Sequence, residues 1–167
     1  MSRWCDEAHG WRLFVHPLFQ AQLESLTKRV ERIASSDPAG YVSHSAAKML
    51  ATINHYIRDA IPRNPNGPEF RQGNTLGPDN RHWFRAKFHR RYGLFYRFST
   101  KQKLIVYVWV NDEGCLRKSG SRTDPYVVFK GMLESGDPPN SFAELVGTSR
   151  EMDAGADTPS RPIGKTK

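Results

Sequence analysis

Between positions 80 and 111 the chain carries Arg81, Arg85, Lys87, Arg90, Arg91, Arg97, Lys101 and Lys103, and not one acidic residue. Those eight account for the whole formal charge of +8, because the other 17 basic residues balance the 17 acids. Guanidinium and ammonium groups at that density suit a polyanion. The interleaved Trp83, Phe84, Phe88, Tyr92 and Tyr96 suit the bases of a nucleic acid better than a lipid headgroup layer. Arg85 and Lys87 stand two apart, which puts both on one face of a strand, where a planar fork and a point charge can grip a phosphate. His89 continues the row with the one side-chain type whose ordinary pKa, ~6.5, suits proton transfer near neutrality. The plainer reading of the same block is a solvated charged face.

Strands must hold these groups, and the period supports them. Positions 82–89 alternate Phe84, Ala86 and Phe88 against Trp83, Arg85, Lys87 and His89, the pattern of a half-buried strand with a cationic row. Leu94, Tyr96 and Phe98 mark the next strand, and 104–110 is apolar on both faces and therefore central. Short links favour an antiparallel meander. Upstream, 10–16 reads as a strand, and Pro17 marks a helix start. Phe19, Leu23, Leu26, Val30 and Ile33 form an apolar stripe ending near Ser35, and Ala46, Leu50, Ile53 and Ile57 form a second, predicting a helical hairpin against the sheet. Positions 62–80 hold four prolines and three glycines and predict an ordered irregular connection. Asp124 with Pro125 starts a helix that Gly136 stops, and Ser141 with Glu144 makes a capping box for a last one.

The fold class is α+β, with an N-terminal strand and helical hairpin packed on an antiparallel meander sheet and helices at the C-terminal end. One domain over 1–152 is expected, with 153–167 a disordered tail that has little to bury. The longest apolar run is far short of the ~20 residues that span a bilayer, and the N-terminus lacks a secretory apolar stretch, so a cytoplasmic location away from membranes is expected. Cys5 and Cys115 read as free thiols. His9, His16, His44, His55 and His82 show no ligand spacing, and neither a metal nor another cofactor is expected.

Local strings carry a resemblance. Gly10-Trp11, His16-Pro17 and Phe19 begin it, followed by Asn64-Pro65, Pro68, Phe70-Arg71, Gly73 and Leu76-Gly77. Then come Trp83, Arg85, Lys87-Phe88, Arg91-Tyr92, Leu94-Phe95 and Arg97. Trp109, Asn111-Asp112-Glu113, Leu116-Arg117, Thr123-Asp124, Tyr126, Phe129 and Met132-Leu133 complete it. From about position 10 to 150 the chain resembles the YhaV toxins of bacterial toxin–antitoxin pairs, a branch of the RelE-type toxins.

The resemblance implies a RelE-like fold and an endoribonuclease that cuts messenger RNA, in many relatives on the ribosome, and so inhibits translation. It also implies a cognate PrlF-like antitoxin of the swapped-hairpin type, and a toxin–antitoxin complex that represses its own operon at operator DNA. Catalytic candidates are Arg85, Lys87, His89, Arg91, Arg97, Arg117 and Tyr126, with Lys87 or His89 as the base and Arg85 on the phosphate; His89 is named for its chemistry, since relatives need no histidine there and it reads equally as an RNA contact. RNA contacts fall to Arg81, Trp83, Arg90, Tyr92, Lys101, Lys103, Lys118 and Arg122. Tyr126 reads equally well as a core tyrosine with a wet hydroxyl, and Arg97 as a phosphate-tracking or solvated arginine. One departure stands out: relatives have arginine after the tyrosine, whereas this chain has Tyr92-Gly93-Leu94 with Arg90 and Arg91 crowded before it. Either Arg91 substitutes or activity is weakened, unless the glycine serves a turn with positive φ. The competing reading from another class is a module that binds RNA or DNA without cutting it.

Overall fold

The computed structural model describes residues 7–111 and 124–152. Arg117, Lys118, Arg122, both cysteines and the expected tail lie outside the described residues.

A mixed six-stranded sheet organises the chain in the order β1 (Glu7–Ala8), β2 (Trp11–Val15), β5 (Leu104–Val110), β4 (Tyr92–Ser99) and β3 (Phe84–Phe88), with β6 (Arg150–Glu151) also pairing β2. The three basic strands form the expected antiparallel meander. β2 runs parallel to β5, Leu13 opposite Ile105 and Val15 opposite Tyr107. Parallel neighbours need a long crossover, which the two N-terminal helices and the irregular segment supply. β1 and β6 are too short to leave a periodic signal.

One face of the sheet is covered by α1 (Pro17–Ser36) and α2 (Ser45–His55). Phe19, Leu23 and Val30 from α1 and Ala46, Leu50 and Ile53 from α2 meet Ala86, Phe88, Leu94, Tyr96, Ile105 and Tyr107. His16 starts α1: its Nδ1 accepts the Leu18 amide at 3.2 Å, and Pro17 follows where no amide is needed. α2 continues through a π-helical turn, Tyr56–Ala60, into the short α3 (Ile61–Arg63), burying Ile57 and Ile61.

The opposite face is covered by α4 (Pro125–Ser135) and α5 (Phe142–Thr148), whose Phe129, Leu133 and Leu145 pack on Trp83, Phe95, Val106, Val108 and Trp109. α4 begins on the Asp124 cap and ends at left-handed Gly136, and the Ser141 hydroxyl accepts the Glu144 amide, all as the sequence predicts. Burial on both faces explains why β5 is apolar throughout. A bulge in the β4–β5 ladder leaves Val108 between the pairs Phe95–Trp109 and Tyr96–Tyr107. The extra residue reverses the alternation, so Val108 and Trp109 both serve the α4 side.

The Pro/Gly-rich connection is irregular but tightly organised around Gln72, which is 4% exposed. Its amide nitrogen donates to the Asn80 and Trp83 carbonyls, and its oxygen accepts from Thr75 and Leu76. No helix of the described residues is long and apolar enough to cross a membrane.

Candidate phosphate-binding site

Strand register decides which basic residues meet. Arg85 pairs with Phe95 and Lys87 with Gly93, so these four share the face covered by α4. α4 reaches only part of that face. Arg85 lies at its margin, where Nε donates to the Tyr126 hydroxyl at 2.7 Å and the guanidinium carbon sits 5.8 Å from the ring centroid. Tyr126 is fixed in turn. It stands edge-on to Phe95, which stacks on Phe129 at 4.4 Å, and it occupies the first turn of α4 behind the Asp124 cap. A hydroxyl that accepts from Arg85 keeps its own proton for another partner.

Lys87 is exposed beyond Arg85, and among the described residues its ammonium has no hydrogen-bond partner. Opposite it Gly93 contributes no side chain, and the Arg85 stem leans into the space: a Cβ on Gly93 would stand 3.3 Å from Arg85 Cγ. The glycine is not there for a positive φ. That conformation falls on His89 (φ 48°) and Arg90 (φ 68°) in the turn between Phe88 and Tyr92. Left-handed backbone costs such residues ~1–2 kcal/mol each, so the turn must be held by its surroundings. Buried Asn111 holds it from β5, accepting the Gly93 amide and donating to the Arg91 carbonyl at 3.0 Å. Arg90 and Arg91, both exposed, belong to this turn.

Four expectations need correction. The left-handed turn swings the His89 ring away from the Lys87 face and onto α2, where Nε2 lies 3.0 Å from the Thr52 hydroxyl. It is not beside Lys87. Arg97 shares the site's strand face but turns toward the α4–α5 link, donating to the Asn140 carbonyl at 2.6 Å between the rings of Trp83 and Phe142. Burial there pushes its pKa down to about 10. Trp83 is no base-stacking platform, because it is fully buried, edge-on to Phe129 at 5.0 Å with its indole N–H on Asn140 Oδ1. The basic block is also not one patch. Lys101 and Lys103 sit in the β4–β5 turn, a strand length of ~23 Å from Gly93 at ~3.3 Å per residue. Lys103 instead covers the Trp11 ring at 4.5 Å.

Of the remaining RNA-contact expectations, Arg81 is exposed before β3, whereas Tyr92 stacks on Phe88 and is half-buried against the helical hairpin. Asn111 was visible only as part of a family string, although an asparagine closing a wholly apolar strand is itself a signal of a buried capping group. Among the described residues no group of three or more His, Cys, Asp or Glu is placed to hold a metal ion.

Trp83→Ala is therefore expected to act on stability, lowering the unfolding free energy by ~3–5 kcal/mol. RNA affinity per folded molecule should stay within about twofold, the change expected of a residue that contacts no ligand. Denaturant titration beside a binding curve checks both, and loss of affinity with unchanged stability would restore the stacking role.

A cationic pair, backed by a phenol, is set on the margin of the sheet of an α+β fold. The family model for a toxin with endonuclease activity, of a toxin–antitoxin system, matches residues 13–150. The chain belongs to this YhaV toxin family. It is similar to toxin YhaV of Escherichia coli O6:H1 (strain CFT073) and to ribonuclease toxin YhaV of Escherichia coli K12. Each is 41% identical over 148 residues, covering 87% of this chain and 96% of the relative. No solved structure matches the chain.

Proposed function

We propose that this toxin cuts RNA without a metal, at the edge formed by Arg85, Lys87, Arg91 and Tyr126. One observation carries the reading: the Arg85–Tyr126 hydrogen bond beside an exposed Lys87 on the same strand face, whose ammonium has no hydrogen-bond partner among the described residues. The name of one relative, ribonuclease toxin, supports RNA as the substrate. RNA brings its own nucleophile, so the protein must align the 2′-oxygen with phosphorus, take up its proton, hold the phosphorane charge and protonate the departing 5′-oxygen.

Lys87, acting as its unprotonated amine, takes up the 2′-hydroxyl proton, since His89 is engaged at α2. Arg85 and Arg91 hold the phosphorane oxygens, and Tyr126 protonates the 5′-oxygen. The 2′-oxygen–phosphorus bond forms as the phosphorus–5′-oxygen bond breaks, leaving a 2′,3′-cyclic phosphate and a 5′-hydroxyl. Following the family likeness, the substrate is messenger RNA on the ribosome in the cytoplasm, and cleavage inhibits translation. The partner is a PrlF-like antitoxin, with which the toxin represses its operon at operator DNA.

Purified protein should cut single-stranded RNA in EDTA, and a 2′-deoxy substitution at the cut site should abolish the cut. RNA that binds but stays intact in EDTA would favour the non-cutting binding module.

A further inference from the structure

We propose that Asn111 is a positioning residue for cleavage, acting through Arg91, an inference that rests on the site placed above. Asn111 is wholly buried where β5 ends, and its side-chain oxygen, side-chain nitrogen and backbone amide all go to one target, Arg91 and Gly93 at the start of β4. Its side-chain oxygen accepts from the Gly93 amide and its side-chain nitrogen donates to the Arg91 carbonyl. Its backbone amide donates to the Gly93 carbonyl at 3.3 Å. A side-chain amide offers a donor and an acceptor on neighbouring atoms.

The anchor is itself anchored. β2 pairs with β5 only as far as Tyr107, so the end of β5 outruns its parallel neighbour. Gln22 from α1 stands in for the absent strand, donating to the Val110 carbonyl at 2.6 Å and accepting the Val110 amide at 3.0 Å. A chain of bonds thus runs from α1 through Val110 and Asn111 to Arg91 and Gly93. It ends on the turn that carries left-handed His89 and Arg90, the segment with most need of outside support. Gly93 faces Lys87 across the ladder, and its missing Cβ lies between Arg85 Cγ and Asn111 Oδ1, at 3.3 and 3.6 Å. Asn111 touches no substrate in this arrangement. It sets where the Arg91 backbone stands relative to Arg85 and Lys87.

A positional error of about 1 Å can cost up to ~10² in rate. Asn111→Ala should therefore lower single-turnover kcat by ~10-fold to 10² while KM changes less than about threefold. Asn111→Asp keeps the shape and the acceptor for Gly93 but turns an oxygen on the Arg91 carbonyl, and it should be similarly slow. The double variant Asn111→Ala/Arg91→Ala should be no slower than Arg91→Ala alone, because both remove one function. Rates that multiply independently would overturn the proposal. So would a loss wholly explained by a smaller folded fraction in circular dichroism. If Lys87→Ala is slow but Asn111→Ala and Asn111→Asp keep wild-type kcat, this inference alone fails. If Lys87→Ala itself is at wild-type rate, the site has failed and the inference with it.

Discussion

Expression of this toxin is expected to arrest bacterial growth, and replacing Lys87 by alanine is expected to relieve that arrest and to slow single-turnover RNA cleavage by ~10² to 10³. The size follows from what Lys87 lacks as much as from where it stands. Its ammonium is exposed and has no hydrogen-bond partner among the described residues, so removing it costs the fold little, within about 0.5 kcal/mol. Its neighbours across and along the ladder are Gly93, Phe88 and the Arg85 that holds Tyr126. Nothing in that group can replace a mobile amine that takes up the proton of the 2′-oxygen. Lys101→Ala, at the far end of the meander, is the matched control and should leave the rate within about twofold, as for other surface substitutions. Growth arrest by a well-expressed, folded Lys87→Ala protein would remove this residue from the mechanism.

The period of two across β3 was enough to place Arg85 and Lys87 on one face, Pro17 marked the start of α1, and cap residues marked those of α4 and α5. Trp83 was misread for a physical reason. Its parity matches the cationic row, and a half-buried sheet would expose it. But Phe129, Leu133 and Leu145 roof that side of the sheet as well. The apolar positions of α4 were visible, but not the face on which they would land. His89 escaped because strand alternation ends where φ turns positive, and a Phe-His-Arg-Arg string carries no glycine or asparagine to announce such a turn. Charge density along a sequence also says nothing about contiguity in space. An antiparallel hairpin sends successive turns to opposite ends, which is why Lys101 and Lys103 leave the site.

Gly93→Arg should slow cleavage by roughly 10-fold to 10², although it restores the arginine that relatives carry after the tyrosine. Backbone strain is not the reason, because Gly93 lies in the regular β3–β4 ladder opposite Lys87 and the left-handed residues are His89 and Arg90. The obstacle is space. A Cβ at this position would stand 3.3 Å from Arg85 Cγ and 3.6 Å from Asn111 Oδ1. Arg85 is tied at its other end to Tyr126, so a longer side chain must either break that bond or leave the face. It would also add a cation beside Arg85 and Lys87, which repel it. Under the proposed mechanism the job of the missing guanidinium falls to Arg91, two residues earlier and bonded through its carbonyl to Asn111. Arg91→Ala should then cost about 10² in rate, the loss expected when a group that stabilises the transition state is removed. A melting curve for each variant separates crowding at the site from loss of fold. Faster cleavage by Gly93→Arg together with a neutral Arg91→Ala would mean that the native site lacks an arginine. If neither substitution changes the rate, the scissile phosphate lies elsewhere, and the cationic face serves to bind nucleic acid without cutting it.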